Sequence, residues 1–111
     1  MAHPAPALVL APPDLGLPSD AALGARATIV QVSSAFCAPC RAARTVAARV
    51  SDTMEDVLHV EVDVAGHEDL AARLQIASTP TVLILDGSGQ VRRRLDGVPR
   101  LAWLRDAVSE L

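Results

Sequence analysis

Two cysteines, Cys37 and Cys40, stand two residues apart in Phe36-Cys37-Ala38-Pro39-Cys40-Arg41, and the chain has no others. Thiol–disulfide exchange requires a thiolate nucleophile, a second thiol to resolve the mixed disulfide, and access for a substrate. A CxxC pair can supply the two sulfurs, and Phe36 beside it offers an apolar surface for docking. The competing use of such a pair is structural or metal-binding. Zinc normally takes four ligands, and the sequence holds neither a second cysteine pair nor a Cys/His cluster, so no metal is expected. A further stretch of interest is Ser78-Thr79-Pro80-Thr81. Proline entering a strand is unusual except at an edge or a special bend, and an X–Pro bond takes the cis form at modest cost. An ordinary trans proline at a strand start is the alternative.

The elements around the cysteines follow from apolar spacing. Ala27-Thr28-Ile29-Val30-Gln31-Val32 reads as a buried strand, and Ala38 to Val50 carries Ala43, Val46, Ala47 and Val50 at helical spacing. Pro39 fits the first turn of that helix, where a missing N–H removes no hydrogen bond. Cys37 therefore falls at the mouth of the helix, where free N–H groups and the positive dipole end stabilise a thiolate. Cys40 lies one turn further in, near enough to close a disulfide and more buried. Leu58 to Val64 alternates as a half-buried strand, expected parallel to Thr28–Val32 over His59–Val64. Glu68 and Asp69 sit in the first turn of a helix carrying Leu70, Ala71 and Leu74. Thr81 to Leu85 reads as a strand covered on both sides. Asp86-Gly87-Ser88-Gly89 is turn chemistry, with Val91 to Leu95 as hairpin partner and an amphipathic helix bearing Leu101, Leu104, Val108 and Leu111 at the end. At the start, Ala7 to Ala11 is a candidate edge strand. Pro12 to Ala25 is loop-like, with at most a short helix after Pro18-Ser19-Asp20. This order predicts an α/β fold, a central mixed β-sheet flanked by helices on both faces.

Phe36-Cys37-Ala38-Pro39-Cys40, followed about forty residues later by Ser78-Thr79-Pro80-Thr81, resembles the thioredoxin family from about Thr28 to Leu111. The resemblance implies the thioredoxin fold and a protein-disulfide reductase. Cys37 would attack a substrate disulfide and Cys40 would resolve the mixed disulfide. Pro80 would be cis, facing the cysteines and blocking metal capture, while the Thr79 backbone pairs with the substrate chain. Phe36, Ala38, Pro39, Thr79, Pro80, Gly97 and Val98 would form the docking surface. For Gly97 an ordinary turn glycine is an equal reading. The resemblance implies no bound cofactor beyond the redox-active Cys37–Cys40 disulfide. Recycling would come from NADPH through a flavoprotein, thioredoxin reductase, and the substrates would be disulfide-containing proteins. Gln31 departs from the family pattern: many members carry a buried aspartate six residues before the first cysteine. Glutamine hydrogen-bonds but cannot act as a base near neutral pH, so proton transfer falls to water or another group. Phe36 and Ala38 replace the usual tryptophan and glycine. Two rival readings are a disulfide oxidase or isomerase, and a thioredoxin-fold redox sensor or binding module with little turnover.

Length and composition bound the remainder. The 111 residues are read as a single domain, with about 1–25 an irregular or shortened N-terminal region. A formal net charge of −3 gives no nucleic-acid footprint, and no apolar run reaches the roughly eighteen residues of a membrane span. With no basic n-region or long apolar core at Met1 to Pro6, a cytoplasmic location is expected. In a reducing cytosol a cysteine pair is more often catalytic or metal-binding than structural. His59 is expected on the less buried face of its strand, with His3 and His67 away from any metal set. Glu61 and Asp63 read as strand-end surface charges, a base acting through water being the alternative role. Arg92-Arg93-Arg94 reads as a solvated edge, which also discourages sheet-to-sheet aggregation. Trp103 reads as core or half-buried packing.

Overall fold

The computed structural model describes residues 8–111. Four strands, β1 (Ala27–Ser33), β2 (Val57–Asp63), β3 (Thr81–Asp86) and β4 (Val91–Asp96), form one sheet in the order β2-β1-β3-β4. Helices α1 (Ala38–Thr53), α2 (Glu68–Arg73) and α3 (Leu101–Ser109) complete the fold. β1 pairs parallel with β2 and antiparallel with β3, and β3 pairs antiparallel with β4. The sheet is therefore mixed, and the crossover between the parallel strands is α1 itself.

Every residue of β1 is buried because both of its faces are covered. Val30 and Val32 join Val60, Val62, Leu83 and Leu85 under Leu70 and Leu74 of the α2 segment. Ala27 and Ile29 join Val82 and Ile84 against Ala47 and Val50 of α1 and Leu104, Ala107 and Val108 of α3. Strand alternation thus sends successive residues into two separate apolar layers. Small alanines on the buried stripe of α1 let the long helix lie close to the sheet. Trp103 packs half-buried against the second layer.

The sequence-based expectations hold for all four strands and three helices, with boundary differences. α1 runs on to Thr53, three residues past the last apolar position of its stripe, and β2 starts earlier, at Val57. The polar residues at 51–53 stay helical because Ser51 and Thr53 hydroxyls bond back to backbone carbonyls within the helix. The segment after Pro18 forms a turn and not a helix, with Ala21 N–H bonded to the Pro18 carbonyl. The helical turn of this region lies earlier, a 3-10 turn over Pro12–Leu15 closed by Gly16 at φ +74°. Paired prolines fix its backbone, and Asp14 accepts the Ala11 N–H. The candidate edge strand is an isolated bridge between Val9 and Gln90. Ala7 and His3 lie outside the described residues. Arg92, Arg93 and Arg94 pair with Asp86, Glu110 and Asp96, so the triplet is a solvated, neutralised edge.

Candidate active site

The carbonyl end of β1 delivers the chain to the cysteines through Ser34, Ala35 and Phe36. Phe36 sits in the left-handed region at φ +55°, with its ring fully exposed. Cys37 is the N-cap of α1, in extended conformation, and its Sγ accepts the Cys40 N–H at 3.2 Å. One of the orphan donors of the helix start is thus spent on the sulfur, which is the arrangement that favours a thiolate. Pro39 lies in the first turn. The Cα atoms of Cys37 and Cys40 are 5.2 Å apart and the sulfurs are joined as a disulfide. Cys37 is half-buried at the surface, whereas Cys40 is 1% exposed, facing the core. Only one sulfur of the pair can meet a large substrate.

The loop before β3 packs against that sulfur. The Thr79–Pro80 bond is cis. Cys37 Sγ lies 3.9 Å from the Thr79 carbonyl oxygen and 3.8 Å from Thr79 Oγ1. Within the disulfide the sulfur has no hydrogen, so the first is a packing contact, while the hydroxyl can donate to sulfur. Ser34 Oγ and Thr79 Oγ1 share a 2.7 Å hydrogen bond that ties this loop to the end of β1. Pro80 is buried and shapes the site without offering much surface. Its carbonyl accepts the Gly97 N–H at 2.8 Å, which places the loop after β4 beside it. Gly97 has φ +114°, and no atom lies within 4 Å of where a Cβ would stand, so backbone conformation is what requires glycine here. Val98 is exposed next to it. The structure therefore sets Phe36 and Ala38 beside Cys37 in the chain and Thr79 against its sulfur, with Pro80 next to Thr79 and Gly97 bonded to Pro80.

Behind the cysteines, Gln31 is fully buried and every polar atom of its amide is used. Its Nε2 lies 2.7 Å from the Cys40 carbonyl, 3.0 Å from Ser33 Oγ and 3.3 Å from Glu61 Oε2. Its Oε1 lies 3.2 Å from His59 Nε2. Two amide hydrogens face three acceptors, so the longest contact is the weakest. Ser33 Oγ donates to Glu61 at 2.8 Å, and Arg44 holds the same carboxylate through two nitrogens at 2.6 and 2.8 Å. His59 and Glu61 lie on the less buried face of β2, as expected, and both reach partners around the buried amide. His59 is half-buried and bonded to Gln31, and burial pushes its pKa down from 6.5 against the opposing charge of Glu61. Glu61 is more than a strand-end charge: Arg44 above all, and then Ser33, hold its carboxyl below the usual carboxylate range. Asp63 behaves as expected, accepting the Ala65 N–H at the strand end.

Sequence reasoning missed Ser33, Ser34 and Arg44. Two signals pointed to them: Ser33 shares a face of β1 with Gln31, and Arg44 lies one helical turn after Cys40. The partnership with Glu61 rests on register, because the parallel pairing sets Gln31 opposite Glu61. Among the described residues, no group of three or more His, Cys, Asp or Glu side chains could hold a metal ion. No helix among the described residues is long and apolar enough to cross a membrane.

Known proteins share this fold. The thioredoxin family profile matches residues 20–110. A thioredoxin of Mycoplasma genitalium is 29% identical over 72 residues, which cover 65% of this chain and 71% of that one. Chloroplastic thioredoxin z superposes with a TM-score of 0.69 at 25% identity, covering 78% of each chain. The oxidized form of mitochondrial thioredoxin 3 from Saccharomyces cerevisiae superposes at 0.67 with 20% identity, over 78% of this chain and 79% of that one, a likeness of fold alone. With a solvent-facing and a buried cysteine joined at a helix N-terminus, opposite a cis-proline loop, the chain belongs to the thioredoxin family and is a thiol–disulfide oxidoreductase.

Proposed function

We propose that the chain works as a protein-disulfide reductase, with Cys37 as nucleophile and Cys40 as resolving thiol. The observation that carries this reading is the asymmetry of the pair: Cys37 stands at the surface beside the exposed Phe36, while Cys40 is buried. In the reduced protein the Cys37 thiolate attacks one sulfur of a substrate disulfide. A Cys37–substrate disulfide forms, and the other substrate sulfur leaves as a thiolate. Cys40 then gives up its proton to water and attacks Cys37 Sγ, closing the Cys37–Cys40 bond and releasing the second substrate thiolate. Two electrons pass from the protein dithiol to the substrate, and the protein ends oxidised, as it stands in the structure.

The Thr79 backbone and the exposed Phe36, Ala38, Pro39 and Val98 seat the substrate chain, and Gly97 lets it approach closely. Gln31 anchors the Cys40 carbonyl while leaving proton removal to water, since an amide cannot take the proton. A dithiol donor must return the electrons. We assign this to a flavoprotein thioredoxin reductase fed by NADPH, with residues 1–111 acting as one domain in the reducing cytoplasm.

The test is insulin reduction in the presence of such a reductase. The wild-type chain should turn over, and Cys37→Ser should fall to the uncatalysed rate. Cys40→Ser should accumulate mixed disulfides with protein substrates. Neither turnover nor trapped partner would leave the Gln31 substitution favouring the second reading, a redox sensor that switches an interaction without turnover.

A further inference from the structure

Arg44 and Glu61 come from different elements, α1 and β2, and meet on the wall of the groove that opens beside Cys37. Their contact is bidentate, with Nε to Oε1 at 2.6 Å and the second nitrogen to Oε2 at 2.8 Å. The Glu61 oxygen that takes this second contact also accepts from Ser33, and it borders the Gln31 amide that grips the Cys40 carbonyl at 2.7 Å. One carboxylate is thus tied both to a cation one turn past Cys40 and to the buried amide behind Cys40. An ordinary surface pair touches solvent and its partner only.

We infer that each member of the Arg44–Glu61 pair acts on the thiolate content of Cys37 and the redox poise of the Cys37–Cys40 couple, and that the intact pair holds these two effects in balance. The inference rests on the oxidoreductase reading above and adds two residues to it. A nearby carboxylate disfavours a thiolate, and a nearby guanidinium favours it. The reduced couple carries the thiolate and the disulfide carries none. Whatever stabilises the thiolate therefore stabilises the reduced protein and makes the disulfide a stronger oxidant. As an intact pair, the two fields oppose each other at Cys37. Arg44 holds Glu61 below the usual carboxylate range, so both members are charged at neutral pH. Arg41 of α1 and Asp63 of β2 face the same groove, while His59 borders Gln31 and feels Asp52 of α1. All four stay in place when Arg44 or Glu61 is changed, and His59, which feels both charges and whose pKa burial lowers from 6.5, carries no charge when the variants are compared above about pH 7.

The experiment titrates Cys37 by its pH-dependent alkylation rate and equilibrates the couple in glutathione buffers, neither of which needs a protein substrate. Glu61→Gln keeps the side-chain shape and should lower the pH at which Cys37 titrates, shifting the glutathione equilibrium about fivefold toward the reduced protein. Arg44→Ala should shift both readouts the opposite way by a similar factor. The double variant should return to within about twofold of wild type, and Arg44→Lys, which keeps the charge, should stay near it. Raising salt should shrink the differences between the single variants. Wild-type values in both single variants, or shifts of the same sign, overturn the inference while leaving the oxidoreductase reading intact. A wild-type chain that forms no disulfide in these buffers overturns both.

Discussion

On one side of β1, Val30 and Val32 enter an apolar layer shared with Val62, Leu83 and Leu70. On the other, Ala27 and Ile29 begin an equally apolar layer against α1, but Gln31 and Ser33 end it in a buried polar network under the cysteines. Both sides are equally inaccessible to water, since all of these residues are buried. They differ in what holds them. The first is held by area removed from water, at roughly 25 cal/mol per Å². The second is held by hydrogen bonds that must all be made, because an unpaired buried amide or carbonyl costs more than a made bond returns. Among the described residues no buried side-chain nitrogen or oxygen lacks a partner. The polar end is thus complete, and it belongs to the site more than to the core.

Substitutions can break this comparison from either side. Leu83→Ala, in the apolar layer, should cost about 2–5 kcal/mol in chemical denaturation, while the exchange rate of the folded fraction stays near wild type. Gln31→Leu should cost less, about 1–3 kcal/mol for the acceptors it abandons. It should nevertheless slow resolution by Cys40, read as longer-lived mixed disulfides in rapid-quench alkylation. Equal kinetic effects from the two variants would erase the distinction between the sides.

The smallest effect is a pH slope. Burial holds the folded-state pKa of His59 below 6.5, so the unfolded chain binds this proton more readily. Stability is then at its full value above about pH 6.5 and falls as pH drops from there through the folded pKa. His59→Asn should flatten the stability profile across that mildly acidic window, measured by urea unfolding at several pH values. A slope unchanged by the substitution would place the linkage elsewhere.

The fold was largely legible in the sequence, because apolar spacing at Ile29, Val30, Val60, Val62, Leu83 and Ile84 separates strands from helices without ambiguity. The CxxC pair and Pro80 marked the site for the same reason, as rare residue types at fixed places. The network behind them was less legible. Gln31 was singled out, but its partners Ser33, Arg44 and Glu61 are common surface types whose meeting depends on strand register and on the rotation of α1 over the sheet. His59 was placed on the less buried face, where it lies, but alternation alone does not show that its ring would reach Gln31. The segment from Pro12 to Ala25 was read as loop-like with at most a short helix after Pro18, and its one helical turn lies earlier for a local reason. Paired prolines set that turn at Pro12–Leu15.

The midpoint potential of the Cys37–Cys40 couple, from equilibration in defined dithiol/disulfide buffers and alkylation mass shift, tests the central claim most directly. The account expects a value near about −270 mV, in the range of a reductant that a cytosolic dithiol system can recharge. A value between about −180 and −120 mV would contradict it, making the same geometry that of an oxidase or isomerase.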